Sequence, residues 1–507
     1  MRVIKTIFGR AGLLIVLVLL QLFWLGVVLS GISPYLTVVN TVLQVLSIFI
    51  VLHLINTSRN LSNDLLWILF IILVPIAGTV IYLYLRWNHR LTGRTYRSLK
   101  EETAAAARYY VQDPEVLSQA KEAAGCLAGQ VHYLCSTTPY PIYESQGFSY
   151  EKCGEDGFPK MLAALKAAER FIFLEYFIIN TGKMWDSILD ILKEKAQAGL
   201  KVRLLYDDYG TINTLPVNYA AQLRSFGIKT QVFNPLKPFI SGFMNNRDHR
   251  KIMVIDGKVA FSGGINLADE YINEIVRFGY WKDNITQVMG EAVWPFTVMF
   301  LTMWNALTHE DEDYTIFKTP SDLKRQKGWL IPYGDDPFDK QDTGRDVYLN
   351  IINQARTYCY IITPYLIIDN IISNALILAA ERGVDVRIVT PGIPDKRIVW
   401  RITRSYYPGL IAGGVKIYEY QPGFIHSKVM VADDVVATAG TANLDFRSLY
   451  LHFENGVYLL HMDEVKDIRD DCLEAMEQSK LMSPEDVKTG PVRTMIYMVL
   501  RLFAPML

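Results

Sequence analysis

Two short passages of this chain carry the same chemistry-bearing residues at the same spacing. The first runs His249-Arg-Lys251-Ile-Met-Val-Ile-Asp256 and continues to Gly263, Gly264 and Asn266. The second runs His426-Ser-Lys428-Val-Met-Val-Ala-Asp433 and continues to Gly440, Thr441 and Asn443. A His and a Lys two residues apart project from one face of an extended strand. Each passage therefore offers an imidazole, an ammonium and an amide together, and two passages facing each other offer two of each. That set suits phosphodiester transfer. A neutral imidazole attacks phosphorus, and a second, protonated imidazole gives its proton to the leaving alkoxide. Two lysines and two asparagines hold the phosphoryl oxygens as charge builds. A lone His-x-Lys is a common accident, but two copies with matched Asp, Gly and Asn are not.

Each imidazole also needs an acid to orient it. Asp283, in Gly-Tyr-Trp-Lys-Asp, follows His249, and Glu454, in Leu-His-Phe-Glu-Asn, follows His426 at a similar distance. These two are expected as the partners of the imidazoles. Asp256 and Asp433 complete the two catalytic motifs and are expected to tie strands together without touching substrate. No metal or other cofactor is called for, since a histidine needs none to become a nucleophile. No carboxylate cluster of the two-metal kind stands out. The five cysteines are odd in number and lack metal-ligand spacing, so they read as free thiols.

The elements that must position these residues form a repeat. Residues 171–179 read as a buried strand, 185–197 as an amphipathic helix ended by Gly199, and 200–206 as the next strand. The same order returns at 358–368, 370–381 and 384–389. Ala-Gly-Leu-Lys-Val-Arg-Leu-Leu-Tyr matches Arg-Gly-Val-Asp-Val-Arg-Ile-Val-Thr, and Gly227 with Pro235 matches Gly414 with Pro422 at the same offset. A repeat this long means two similar α/β domains rather than a solenoid of small units. The expected domains are 141–310 and 346–485, with a polar linker over 311–345. Asp207 and Asp208 read as a helix cap more than as site lining, and Tyr365, at the equivalent place in the second half, has no stronger claim to line the site. Trp281 and Trp294 read as core.

Before the repeat come three apolar stretches, Ala11 to Leu29, Tyr35 to Ile55 and Leu65 to Leu85. Each reaches the ~20 residues that cross a hydrocarbon layer. Residues 1–90 are therefore expected to be a membrane region of two to three transmembrane helices, with 91–140 a helical connector. The cluster Arg86, Arg90, Arg94, Arg97 and Lys100 places the domains on the cytoplasmic side. Residues 492–507 are apolar but broken by Arg493 and Arg501, so the C-terminal segment 486–507 suits a helix lying in the interface or an ordinary helix docked on the domain. A net charge of -1 speaks against nucleic acid as a partner.

The paired motifs resemble the H-x-K-x4-D signature of the phospholipase D superfamily, and among its members the chain is most similar to bacterial cardiolipin synthases. The passages Leu-Glu-Tyr-Phe-Ile-Ile at Leu174, Gly-Gly-Ile-Asn-Leu-Ala-Asp at Gly263 and Gly-Thr-Ala-Asn-Leu-Asp-Phe-Arg-Ser at Gly440 carry the same resemblance. It implies two phospholipase D-like domains with one shared active site, behind N-terminal transmembrane helices in a bacterial cell membrane. It implies transfer of a phosphatidyl group from one phosphatidylglycerol to another, with release of glycerol and a phosphatidyl-histidine intermediate. His249 would then be the nucleophile and His426 the acid and base, with Lys251, Lys428, Asn266 and Asn443 on the phosphate. Hydrolysis to phosphatidic acid, or transfer to another alcohol, uses the same residues. A catalytically dead scaffold does not fit two intact motifs.

Overall fold

The computed structural model describes residues 26, 34–57, 61–91, 93–235 and 245–504. The apolar stretch Ala11 to Leu29 lies outside them, Gly26 apart. The second stretch is a helix, Pro34–Thr57. The third is not one helix but two, Leu61–Leu73 and Pro75–Leu91, folded back so that the Trp67 and Tyr82 rings meet at 5.7 Å. Pro75 cannot continue a straight helix. Gly78 allows the close return, since a Cβ there would stand 2.8 Å from the Ile71 Cα and the Phe70 carbonyl oxygen. At 1.5 Å per residue these helices are roughly 20 and 26 Å long, short of the ~30 Å of a hydrocarbon core. Among the described residues no helix is long and apolar enough to cross a membrane.

The α/β body holds the repeat in two sheets. In the first, the order is Phe148–Glu151, Ile285–Met289, Val259–Gly263, Lys251–Ile255, Phe171–Tyr176, Lys201–Asp207 and Lys229–Phe233. In the second, Glu454–Leu460, Val436–Gly440, Val429–Ala432, Tyr358–Ile362, Asp385–Pro391 and Lys416–Tyr420 follow in the equivalent order. In each sheet three strands are parallel and the motif strand runs antiparallel to them. The strand expected over 358–368 is interrupted after Ile362 at Thr363-Pro364 and resumes only as Leu366–Ile367. Helices Lys183–Gln197 and Asn370–Glu381 present Trp185, Ile188 and Leu192, or Ile372, Leu376 and Ala379, to the buried core of their own half.

Two expected boundaries shift. The linker contains a strand, Trp329–Asp335, that pairs with Glu454–Leu460, where Leu330, Ile331 and Tyr333 are buried in succession. Tyr143–Glu144, expected in the first domain, pairs with that same strand in the second sheet. The connector packs likewise, burying Val116, Ala120, Leu127, Val131 and Leu134 in the second core. All five cysteines are free.

Candidate active site

Neither motif histidine lies inside a motif strand. Strand Lys251–Ile255 begins at the lysine, and Lys428 stands immediately before strand Val429–Ala432. Upstream of each lysine the chain leaves its own sheet and pairs with the other half. Asp248 bridges to Phe453, and the His249 N–H donates to the Phe453 carbonyl at 2.9 Å. Strand Gly423–Ile425 runs parallel to Tyr280–Lys282, and the His426 N–H donates to the Lys282 carbonyl at 2.6 Å. These are the segments that end in Glu454 and Asp283.

The orienting acids therefore cross over. His249 Nδ1 stands 3.0 Å from each oxygen of Glu454, and His426 Nδ1 stands 2.6 Å from Asp283 Oδ2. Each acid follows one histidine in sequence and serves the other in space. With Nδ1 directed to a carboxylate, both rings keep the proton on Nδ1 and turn the Nε2 lone pair outward.

The lysines sit beneath the rings. Lys251 Nζ donates to the His249 carbonyl at 2.5 Å. Lys428 Nζ donates to the His426 carbonyl and lies 2.9 Å from His426 Nδ1. Burial and mutual repulsion set the proton affinities. Burial, Lys251, Lys428 and His426 hold His249 well below the ordinary imidazole value. Burial and Lys428 lower His426 to about 4 against the pull of Asp283. Burial lowers Lys251 to about 7 and Lys428 to about 8, although Glu454 and Asp283 oppose it. Burial works to raise Asp283, but His426 and Lys428 outweigh it and hold that carboxyl below its usual range. A bound phosphodiester would add negative charge beside these buried lysines and favour their charged forms.

The ligating atoms of His249, His452 and Glu454 lie within 4.8 Å of one another, close enough to hold a metal ion. Lys251, Lys428 and Arg447 crowd the same place with positive charge, so the donor set fits a cation poorly and an anion well.

The two halves are not identical copies. Thr441 donates its hydroxyl to Glu454 Oε2. The equivalent residue in the first half is Gly264, where a Cβ would fall 1.9 Å from Asp283 Oδ1. The longer acid is steadied by a hydroxyl, while the shorter one occupies the space that a side chain at 264 would need. Asn455 donates to the Ser262 hydroxyl at 2.7 Å. Ser262 is replaced in the second half by Ala439, and the Asn284 amide that would meet it is buried without a partner.

The remaining sequence candidates divide. Asn266 is engaged on both sides of its amide, donating to the Tyr271 hydroxyl at 2.7 Å and accepting from the Ile178 N–H at 3.0 Å. Asn443 donates to Asp445 Oδ2 at 3.0 Å and keeps its carbonyl oxygen without a partner. Asp256 accepts the backbone N–H groups of Glu169, Arg170 and Phe171, and Asp433 those of Arg356, Thr357 and Tyr358. Each lies past the far end of its motif strand, five residues beyond the lysine and so roughly 17 Å along an extended chain. They tie each strand to its neighbour's start. Asp207 caps a helix through the Tyr209 and Gly210 N–H groups and pairs with Arg247. Tyr365 donates to Asp395 at 2.6 Å.

Several site residues have no signal in the motifs. Trp281 and Tyr271 pack on the His426 ring, with centroids at 5.5 and 5.6 Å. Phe177 and His452 pack on His249 at 4.9 and 5.6 Å. Trp281 is buried as expected of core, but it forms the wall of the site.

Comparison with known proteins matches this geometry to a family. A family model described as "Cardiolipin synthase, PLD-like domain" matches residues 161–276 and again 348–475, one copy in each half. A "Phospholipase_D-nuclease N-terminal" model matches residues 45–87. A cardiolipin synthase of Alkalihalophilus pseudofirmus is 35% identical over 466 residues, covering 91% of this chain and 92% of that protein. The chain belongs to the cardiolipin synthase family of the phospholipase D superfamily. A cardiolipin synthase of Geobacillus kaustophilus is 33% identical, covering 98% of this chain and 99% of that family member. An uncharacterised protein of Streptococcus mutans is 44% identical, covering 90% of this chain and 99% of its own length. Among solved structures, phosphatidylserine synthase of Haemophilus influenzae superposes with a TM-score of 0.58 at 13% identity, covering 73% of this chain and 97% of that one. It shares the two-domain fold.

Proposed function

We propose that this family member makes cardiolipin by transferring a phosphatidyl group between two phosphatidylglycerol molecules. The observation that carries the reading is the crossed pair of acid-oriented imidazoles set over two buried lysines. His249 Nε2 attacks phosphorus, the phosphorus–glycerol oxygen bond breaks, and His426 Nε2–H gives its proton to the departing glycerol oxygen. His426 is neutral in the free site, since its proton affinity is held near 4. The phosphodiester's negative charge offsets the lysines and raises it, so the acid is charged as substrate binds. In the second step the glycerol hydroxyl of another phosphatidylglycerol gives its proton to His426, and its oxygen attacks phosphorus. The phosphorus–His249 bond breaks and cardiolipin leaves. Lys251, Lys428 and the free carbonyl side of Asn443 line the phosphate and acceptor positions.

Membrane anchoring belongs to the same proposal. It is supported by the match to the N-terminal family model and by the helix Pro34–Thr57, which leaves Val38, Val42, Val45, Ile48, Phe49 and Leu52 exposed. Helix Pro491–Leu502 has no buried residue and exposes Val492, Met495, Ile496 and Val499, as an interfacial helix does.

The test is product analysis of the purified full chain in mixed micelles holding only phosphatidylglycerol. Cardiolipin and glycerol in equal amounts are expected. Phosphatidic acid and glycerol without cardiolipin would make water the acceptor and overturn the transfer.

A further inference from the structure

The two catalytic imidazoles are each covered by a ring two residues before the acid that orients them. Over His426 that ring is Trp281, before Asp283. Over His249 it is His452, before Glu454. The two positions are equivalent in the repeat, so an aromatic ring there packs in either half. Only the histidine has one nitrogen that accepts and another that donates.

Its partners fix how it does so. The Arg447 Nε–H lies 3.2 Å from His452 Nε2. A guanidinium is always a donor, so His452 Nε2 is the acceptor and the ring's single proton sits on Nδ1. That nitrogen is buried, has no hydrogen-bond partner, and faces Glu454 Oε1 at 3.7 Å. Glu454 Oε2 is already taken by the Thr441 hydroxyl. Arg447 thus donates to His452, and the Nδ1–H groups of His452 and His249 both point at Glu454, which accepts from both sides.

We propose that His452 is a positioning residue for His249, holding Glu454 from the Oε1 side so that its carboxylate keeps the His249 proton on Nδ1 and the attacking lone pair on Nε2. The 3.7 Å gap closes to a hydrogen bond when substrate charge enters the site, as bonds in catalytic networks tighten in the working complex. Nothing comparable serves Asp283, whose neighbour Trp281 has no acceptor nitrogen and whose side chain is bounded by Gly264. The inference rests on His249 being the nucleophile of the proposed transfer.

The experiment compares His452→Phe and His452→Gln in the full-length enzyme, in mixed micelles of phosphatidylglycerol. Phe keeps a ring over His249 but can neither accept from Arg447 nor donate to Glu454. Gln restores one acceptor and one donor. Phe is expected to lower kcat by ~10–100-fold, the range for losing a hydrogen bond to a charged group, with KM within about twofold. The charged and titratable groups facing His249 are Glu454, His452, Lys251, Lys428, His426 and Arg447. Without the His452 dipole, Glu454 acts on His249 less opposed, so the acid limb of kcat/KM moves to higher pH. Gln is expected to recover most of kcat and to return the limb. A Phe variant with unchanged kcat and pH profile would overturn the proposal, and so would a Gln variant as impaired as Phe. Thermal melting of both variants, and of His452→Leu, separates lost folding from lost positioning. Failure of the underlying reading shows separately, as an unaltered enzyme that releases no glycerol from phosphatidylglycerol.

Discussion

Replacing Glu454 by Gln tests the crossed pairing directly, because it alters the second half and should silence the histidine of the first. Glu454 meets His249 Nδ1 at 3.0 Å through both oxygens and takes the Thr441 hydroxyl on Oε2. An amide has one acceptor and one donor end. Thr441 claims the acceptor, so the amide nitrogen is turned toward His249 and donates to Nδ1. The imidazole then carries its proton on Nε2, the atom that must attack. Losing one charge-assisted hydrogen bond costs about 1.5–3 kcal/mol, roughly 10–150-fold. The same change in a serine-protease triad, where the tautomer also flips, costs about 10⁴. We expect Glu454→Gln to lower kcat by ~10³-fold or more, with KM little changed, measured as glycerol release in mixed micelles. Rapid-quench traces should lose the initial burst of glycerol. Adding Thr441→Val frees the amide to turn over and should recover up to about tenfold of the loss. If Glu454→Gln kept more than a tenth of its kcat, or the second substitution recovered nothing, the tautomer argument would be wrong.

Other expectations follow from the same geometry. His249→Ala and His426→Ala each abolish cardiolipin formation in the same assay, and near-normal turnover in either would end the two-histidine mechanism. Gly264→Ala forces a methyl against Asp283 Oδ1 and should lower kcat by ~10-fold or more, with the fold retained by circular dichroism. Asp256→Ala strips three backbone N–H groups of their acceptor. It should cost about 2–4 kcal/mol in denaturant unfolding, while activity per folded molecule stays within a few-fold. In the free enzyme, Lys251 and Lys428 lose their protons near 7 and 8, so kcat/KM should fall as pH rises through that window while kcat holds longer. His426 is depressed in the folded state to about 4, so its contribution to stability is present above the unfolded value near 6.5. That contribution, on the order of 3 kcal/mol, is lost as pH falls from about 6.5 to 4. His426→Asn should flatten that part of the melting-temperature profile.

The motif residues and the repeat were legible because duplication writes the same spacing twice. The helix Asn370–Glu381 and the tying role of Asp256 and Asp433 were legible for the same reason. The partner of each histidine was not. Sequence distance pairs Asp283 with His249, and only the departure of each His segment from its own sheet reverses that. The apolar stretch Leu65 to Leu85 read as a single span because hydropathy does not register the turn that Pro75 imposes and Gly78 permits. His452 is not legible in the repeat because it has no twin: Trp281 stands at the equivalent position. Its place two residues before Glu454, just ahead of strand Glu454–Leu460, is the available signal.

The crossing of acid and histidine has a consequence for how the two halves came to differ. In a homodimer of one such domain, each imidazole would face the acid of the sister subunit, and both would face the same acid. No mutation could set a long carboxylate steadied by a hydroxyl on one side and a short one against a bare glycine on the other. Joined in a single polypeptide, the halves are free to diverge. The Glu454–Thr441 and Asp283–Gly264 pairs are what that freedom leaves behind: two unequal supports for two imidazoles that a symmetric ancestor could not have encoded.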